Sequence, residues 1–229
     1  MGKINIAIDG HSSCGKSTIA RALADKMGYY YVDSGAMYRA ITLYAIQNDL
    51  IEFEKVKELD LLNKLAKIQV TFKMIGGVQH TFLNKVDVEL EIRSLEVSNY
   101  VSQVAKIPIV RRYLVKQQQK LSKNKGVVMD GRDIGTVVLP RAKVKFYITA
   151  NVEVRAQRRY DEMQKNGFTD VSYEEIKRNI EERDFLDSHR NVSPLMKAND
   201  AIHIDTSDLT LEEQLDRVYS EVEKALNLI

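Results

Sequence analysis

The sequence predicts an α/β fold built on a mostly parallel, five-stranded sheet. Two observations carry this prediction. Short runs rich in β-branched and aromatic residues alternate with helical patterns, and a glycine-containing loop follows the first run and leads into the first helix. The strands are expected at Ile4 to Ile8, Tyr29 to Val32, Val127 to Met129, Val144 to Thr149 and Ala201 to Ile204. Parallel strands joined through helices imply right-handed crossovers and a doubly wound sheet.

Taken in chain order, the first helix is expected over Thr18 to Met27, and a second follows Tyr29 to Val32 with Ser34 as its N-cap. Between Ile51 and Asn99 the alternation breaks. A helix is expected from Glu54 to Ala66, followed by two β-rich runs, Ile68 to Ile75 and Val78 to Leu83. Gly76-Gly77 between them is a hairpin signal, so this segment reads as a small antiparallel insertion. Asn151 to Arg190 reads as two helices with Gly167 at the joint, the second opened by the capping box Ser172 to Glu175. With six arginines and few large apolar residues, it reads as a mobile helical flap. Thr210 to Glu213 is a second capping box, and Leu211, Leu215, Val218, Val222 and Leu226 form the apolar stripe of the last helix.

Composition narrows the function classes. At 229 residues, with 44% hydrophobic and 29% charged, the chain has an ordinary globular balance. Lys and Arg (34) nearly balance Asp and Glu (32), a net charge of +2 that argues against a polybasic nucleic-acid or membrane-surface protein. No apolar run approaches the roughly 20 residues needed to span a bilayer, and Met1 to Asp9 reads as a strand rather than a secretory leader. A single cysteine, Cys14, excludes an intrachain disulfide and points to a reducing cytosol. Nothing in the charge or apolar pattern demands a partner, so a monomer is expected.

Gly10-His11-Ser12-Ser13-Cys14-Gly15-Lys16-Ser17 matches G-x-x-x-x-G-K-[ST], with a strand before it and a helix after it. The residue types follow from the ligand. Glycines let successive N–H groups curl toward phosphate oxygens, and the helix N-terminus adds partial positive charge. Lys16 is expected on the β- and γ-phosphates of a nucleoside triphosphate, with the Ser17 hydroxyl on Mg²⁺. Val127 to Asp130 is an apolar strand ending in an acid, which places Asp130 beside the same ion.

Asn84-Lys85-Val86-Asp87 spells the guanine-reading motif of GTPases. It follows a hairpin arm, and the only D-x-x-G before it, Asp25 to Gly28, closes the first helix, so these four read as turn residues. Arginines are more informative. Arg39, in Asp33-Ser34-Gly35-Ala36-Met37-Tyr38-Arg39, and Arg132, in Asp130-Gly131-Arg132-Asp133, follow strands and so lie at the carboxyl edge beside the loop. Arg155, Arg158 and Arg159 share one helix face, as do Arg183, Asp187 and Arg190, whose stripe continues Ile176 and Ile180. The flap nevertheless carries eight Lys and Arg against ten Asp and Glu. Guanidinium forks placed among acids suit specific recognition of phosphate rather than general anion binding.

With these motifs the sequence resembles the bacterial-type cytidylate kinases, members of the nucleoside monophosphate kinase family. The marks are Gly10 to Ser17, Asp33 to Arg39, Ile92-Arg93, Ser102 to Ala105, Pro108 with Arg111, Asp130 to Val138, and the trio Arg183, Asp187 and Arg190. The resemblance implies a P-loop kinase fold: a five-stranded parallel sheet flanked by helices, a monophosphate-binding insertion with a small antiparallel sheet, and a helical lid. It divides the chain into a core (1–33, 100–150 and 191–229), a monophosphate-binding domain (34–99) and a lid (151–190).

It also implies roles. Gly10, His11, Ser12, Ser13, Cys14, Gly15, Lys16, Ser17 and Thr18 would bind ATP, and Lys16, Arg39, Arg132, Arg155 and Arg159 would act on the phosphates. Ser34, Arg111, Asp133 and Arg190 match positions that read cytosine, and Ser102, Arg183 and Asp187 match positions that hold the ribose. An Asp can accept from cytosine N4, while Arg or Ser can donate to its O2 and N3. The implied reaction is Mg²⁺-dependent phosphoryl transfer from ATP to CMP or dCMP. Other readings are a P-loop kinase for UMP, AMP or shikimate, and a nucleotide-dependent switch. The chain departs from the resemblance at His11, where many members have proline, and at Cys14, where a smaller residue is common.

Overall fold

The computed structural model describes residues 2–53 and 55–227. The central strand β1 (Asn5–Gly10) alternates its side chains between two cores. Ile6 and Ile8 face one core with Ile19, Leu23, Phe146, Val218 and Val222. Ala7 faces the other with Val32, Met129, Ile134 and Val138. A strand buried on both faces belongs in the middle of a parallel sheet.

The chain then runs through α1 (Lys16–Met27), β2 (Tyr30–Asp33), α2 (Ser34–Gln47), the short pair β3 (Ile51–Glu52) and β4 (Lys55–Val56), and α3 (Glu58–Leu65). Three antiparallel strands follow: β5 (Val70–Ile75), β6 (Val78–Leu83) and β7 (Val86–Asp87). After α4 (Leu95–Ala105) and α5 (Pro108–Leu121), β8 (Val127–Gly131) returns to the main sheet. A wide π turn (Ile134–Val138), β9 (Val144–Thr149), α6 (Val152–Lys165), α7 (Tyr173–His189), β10 (Ile202–Asp205) and α8 (Leu211–Asn227) complete the order.

The main sheet runs β10-β9-β1-β8-β2 with all four pairings parallel. All five expected strands are present, their ends displaced by at most two residues. The expected Gly76-Gly77 hairpin forms, with Ile75 opposite Val78 and φ of 56° and 81° at the two glycines. The sequence reading omits β7. Asn84 and Lys85, at φ 48° and 74°, turn the chain a second time, so the guanine-like tetrapeptide is a turn plus a two-residue strand. The helix expected from Glu54 begins at Glu58, and Glu54 itself lies outside the described residues.

Both capping boxes are formed, at Ser172–Glu175 and at Thr210–Glu213. The α8 stripe needs one correction: Leu211 is 48% exposed, and Gln214 is buried instead, donating to the Leu209 carbonyl at 2.8 Å. The cap of α2 needs another. Asp33 is the N-cap, accepting from Ala36 N at 2.7 Å, while Ser34 is already helical and donates to the Asp130 carbonyl at 2.6 Å. The flap helices α6 and α7 pack on each other around Ala156, Met163, Ile176 and Ile180, so the segment has a small core of its own.

Gly10 shows how tightly the loop is joined to the sheet. It sits at φ 151°, and a Cβ there would lie 2.0 Å from the Ile148 carbonyl oxygen. Gly10→Ala is expected to cost about 2 kcal/mol or more in urea unfolding, because backbone must move. Gly77→Ala, in open space at φ 81°, should cost only about 1 kcal/mol. Equal losses for the two variants would contradict this account.

Candidate active site

The carboxyl ends of β1, β2 and β8 open onto a cleft of about 1150 Å³. The phosphate loop lines one wall. Gly15 (φ 92°) precedes α1 without any side-chain cap, so the first amides of the helix remain available to a ligand. Lys16 is buried, which lowers its pKa, and its ammonium donates to the His11 carbonyl within the loop. Cys14 is fully buried, its thiol donating to the carbonyls of His11 (3.2 Å) and Ile148 (3.3 Å). That enclosure shields it from solvent-borne oxidants.

Ser17 Oγ donates to Asp130 Oδ2 at 2.8 Å, and Tyr31 donates to the other oxygen at 3.0 Å. Burial, reinforced by the nearby Asp33 carboxylate, lifts Asp130 to about 6. No group of three or more His, Cys, Asp or Glu is clustered for a metal among the described residues. A hydroxyl and one carboxylate are, however, the sparse hard-oxygen set that suits Mg²⁺ carried in on phosphates. The donor chemistry therefore fits that ion.

Arginines occupy the remaining walls, most of them held by carboxylates. Arg39 donates to Asp33 at 2.8 Å. Arg132 donates through Nε to Asp187 at 2.9 Å, and Ser102 donates to the other Asp187 oxygen at 3.1 Å. Burial opposes both members of the Arg132–Asp187 pair, yet their mutual attraction raises the arginine's pKa and lowers the aspartate's. Arg190 stands 3.6 Å from Asp187 and donates to the Ser193 carbonyl. Arg111 donates to Asp133, both almost wholly buried, and Arg111 lies over the Tyr38 ring. Tyr38 Oη, Arg111 Nε and Arg190 Nη2 are buried atoms without a hydrogen-bond partner among the described residues. Arg183 donates to Ser98 Oγ at 2.8 Å.

The flap arginines divide. Arg158 and Arg159 line the cleft, Arg158 donating to the Thr206 carbonyl and Arg159 to Glu162 and the Arg93 carbonyl. Arg155 does not line it. It is buried against Asp184 and donates to the carbonyls of Ala150 and Ser12. Helical spacing puts all three on one face but cannot say which of them a neighbouring element will cover.

Sequence reasoning missed three participants. Arg93 lines the cleft between Glu89, Asp33 and Glu162; the resemblance includes it only as a mark, without a role. Ser98 orients Arg183. Asp9, at the end of β1, accepts from the amides of Ile134 and Gly135, both at 2.7 Å. Its position directly before the phosphate loop was the only signal available.

A loop of this kind, on the central strand of a parallel sheet and followed by an uncapped helix, defines a P-loop phosphate-binding protein. The arginine-walled cleft narrows the class to small kinases. The family model for cytidylate kinase matches residues 6–224. A cytidylate kinase of Flavobacterium psychrophilum is 56% identical over 93% of this chain and 95% of its own length. Another, of Parabacteroides distasonis, is 51% identical over 99% of each. The chain belongs to the cytidylate kinase family. Among solved structures, the shikimate kinase of Bacteroides thetaiotaomicron covers 99% of each chain at 12% identity with a TM-score of 0.47.

The Asp9 contact predicts a pH dependence. Burial raises its pKa to about 7 against the pull of the two amides. The folded protein then holds a proton that the unfolded chain has released, so Asp9 stabilises less as pH rises from about 4 to about 7. Unfolding free energy should fall between pH 5 and 7, with Asp9 accounting for on the order of 1–2 kcal/mol. Asp9→Asn should flatten that slope. An unchanged slope in the variant would exclude Asp9 as its source.

Proposed function

We propose that the protein transfers the terminal phosphoryl group of ATP to the phosphate of CMP or dCMP, giving ADP and the nucleoside diphosphate. The observation that carries the substrate assignment is the buried Arg111–Asp133 pair beside Arg190 Nη2. An acceptor flanked by donors complements cytosine, whose N4 donates and whose N3 and O2 accept. Uracil reverses the pattern at two of these positions and would leave buried groups unpaired. Ser34 completes the base site, and Ser102, Arg183 and Asp187 take the ribose.

In the transfer, an oxygen of the acceptor phosphate forms a bond to the γ-phosphorus. The bond from that phosphorus to the β–γ bridging oxygen breaks, and its electron pair leaves with ADP. The acceptor oxygen is already anionic, so no general base is needed and catalysis rests on alignment and charge neutralisation. The loop amides from Gly10 to Thr18 and Lys16 hold the donor, Arg39 and Arg132 align the acceptor, and Arg159 neutralises charge from the lid side. Arg155 contributes by holding the lid. Mg²⁺ at Ser17 and Asp130 would neutralise the donor's β- and γ-oxygens.

The same reading assigns 1–33, 100–150 and 191–229 as the core, 34–99 as the acceptor-binding domain and 151–190 as a lid whose closure keeps water from replacing the acceptor. It is a reading of one chain acting alone, since nothing in the charge or apolar pattern demands a partner, and the single cysteine, Cys14, suits the cytosol. No helix among the described residues is long and apolar enough to cross a membrane.

ADP release from Mg·ATP, measured with CMP, dCMP, UMP, AMP, shikimate or no acceptor, is the direct test. CMP and dCMP should support turnover and UMP only weakly. Equal rates with and without acceptor would sink the reading. Lys16→Met should lower kcat by about 10³-fold or more with the unfolding midpoint retained. Arg190→Ala should raise the CMP KM by about tenfold or more and narrow the preference over UMP.

A further inference from the structure

The lid helix α7 touches both halves of the site through successive turns. One turn faces the phosphate loop. Asp184 Oδ1 lies 3.2 Å from His11 Nδ1, and Asp184 Oδ2 accepts from Arg155. Arg155 also donates to the Ser12 carbonyl at 3.3 Å and to the Ala150 carbonyl at 2.8 Å. A single carboxylate thus gathers two loop residues and both lid helices. Burial favours protonation of Asp184, but His11 and Arg155 beside it outweigh that and hold the carboxyl below its ordinary pKa. The His11 pair stands at ion-pair distance without hydrogen-bond alignment, so Arg155 is the firmer arm.

The flanking residues of α7 face the acceptor side. Arg183 donates to Ser98, and Asp187 holds Arg132 and Ser102. An α-helix is stiff over one turn, so fixing Asp184 fixes the orientation of Arg183 and Asp187. Donor binding has a route to that carboxylate. Lys16 donates one N–H to the His11 carbonyl and has two more for a phosphate, so a bound donor is tied through this ammonium to the His11 peptide.

We propose that Asp184, through Arg155 and His11, is a positioning residue by which the donor-filled phosphate loop orients α7 for the acceptor nucleotide. The proposal rests on the ATP and CMP reading given above. By linkage the effect is mutual: the acceptor tightens the donor by the same factor.

Calorimetric titration of CMP, with and without saturating Mg·AMP-PNP, tests it. In the unmodified protein the analogue should tighten CMP by about fivefold or more. In Asp184→Asn that factor should drop to within about twofold, while the Kd of CMP alone changes less than about threefold. A merely structural role would weaken CMP equally in both conditions. His11→Ala keeps the loop amide and removes only a partly exposed ring, with its contact to Asp184; it should lower the factor in part, which covers the case where Asp184→Asn fails to fold. An unmodified protein that binds CMP without coupling, or an Asp184→Asn protein with the full factor, overturns the positioning role alone. An unmodified protein that binds no CMP in either condition overturns the substrate reading as well.

Discussion

Asp9 joins the phosphate loop to the segment that follows β8. Its carboxyl group takes the amides of Ile134 and Gly135 from inside the sheet edge, one residue before the loop begins. The Asp130–Asp133 segment is thereby fixed against β1 at both ends, by strand pairing at Asp130 and by Asp9 just beyond Asp133. Arg132 and Asp133 can then project to opposite partners, Asp187 and Arg111, from adjacent positions. Ile134 and Gly135 open the wide π turn at Ile134–Val138, where amides have no partner within the turn, and both donate to Asp9. Without this contact, the chain beyond Gly131 would be held to β1 by the strand pairing alone.

Around that frame, carboxylates keep the arginines in place. Asp33 holds Arg39, Asp133 holds Arg111, Asp184 holds Arg155 and Asp187 holds Arg132. A buried guanidinium without an anion is costly, and one with a carboxylate is oriented as well as neutralised. A phosphate arriving at Arg39 or Arg132 competes with a carboxylate already present. Weak or poorly shaped anions gain little from that exchange, whereas a dianion that fits the planar forks gains more. The arrangement gives up affinity for selectivity.

Local patterns made the sheet, the phosphate loop and both capping boxes readable, because each is specified within a few residues by periodicity or hydrogen-bonding type. The failures are those that local patterns cannot decide. Asp33 and Ser34 are both good caps, and the choice depends on the Asp130 carbonyl, 96 residues away, which takes the Ser34 hydroxyl. Arg155 and Arg158 share a helix face, and only the docking of α7 buries one and leaves the other in the cleft. The strand β7 is two residues long, too short for alternation to register. Asp9 looks like any acid at a strand end until the π turn closes over it.

Depth separates the phosphate loop from the residues proposed to hold base and ribose. The donor loop lines the open cleft, whereas Ser34, Ser102, Arg111, Asp133, Asp187 and Arg190 are all buried beneath it. On the kinase reading this asymmetry has a chemical reason. Water is the competing acceptor, and it can use the donor's phosphoryl group wherever the donor alone assembles the site. If Asp187, which holds Arg132, turns to the ribose, Arg132 is released to the phosphates only when a nucleoside is present. Free phosphate, which carries the reacting group but no base, cannot supply that energy, and neither can water. On that reading, binding at the deep end is spent on alignment at the shallow end, where the phosphoryl group passes.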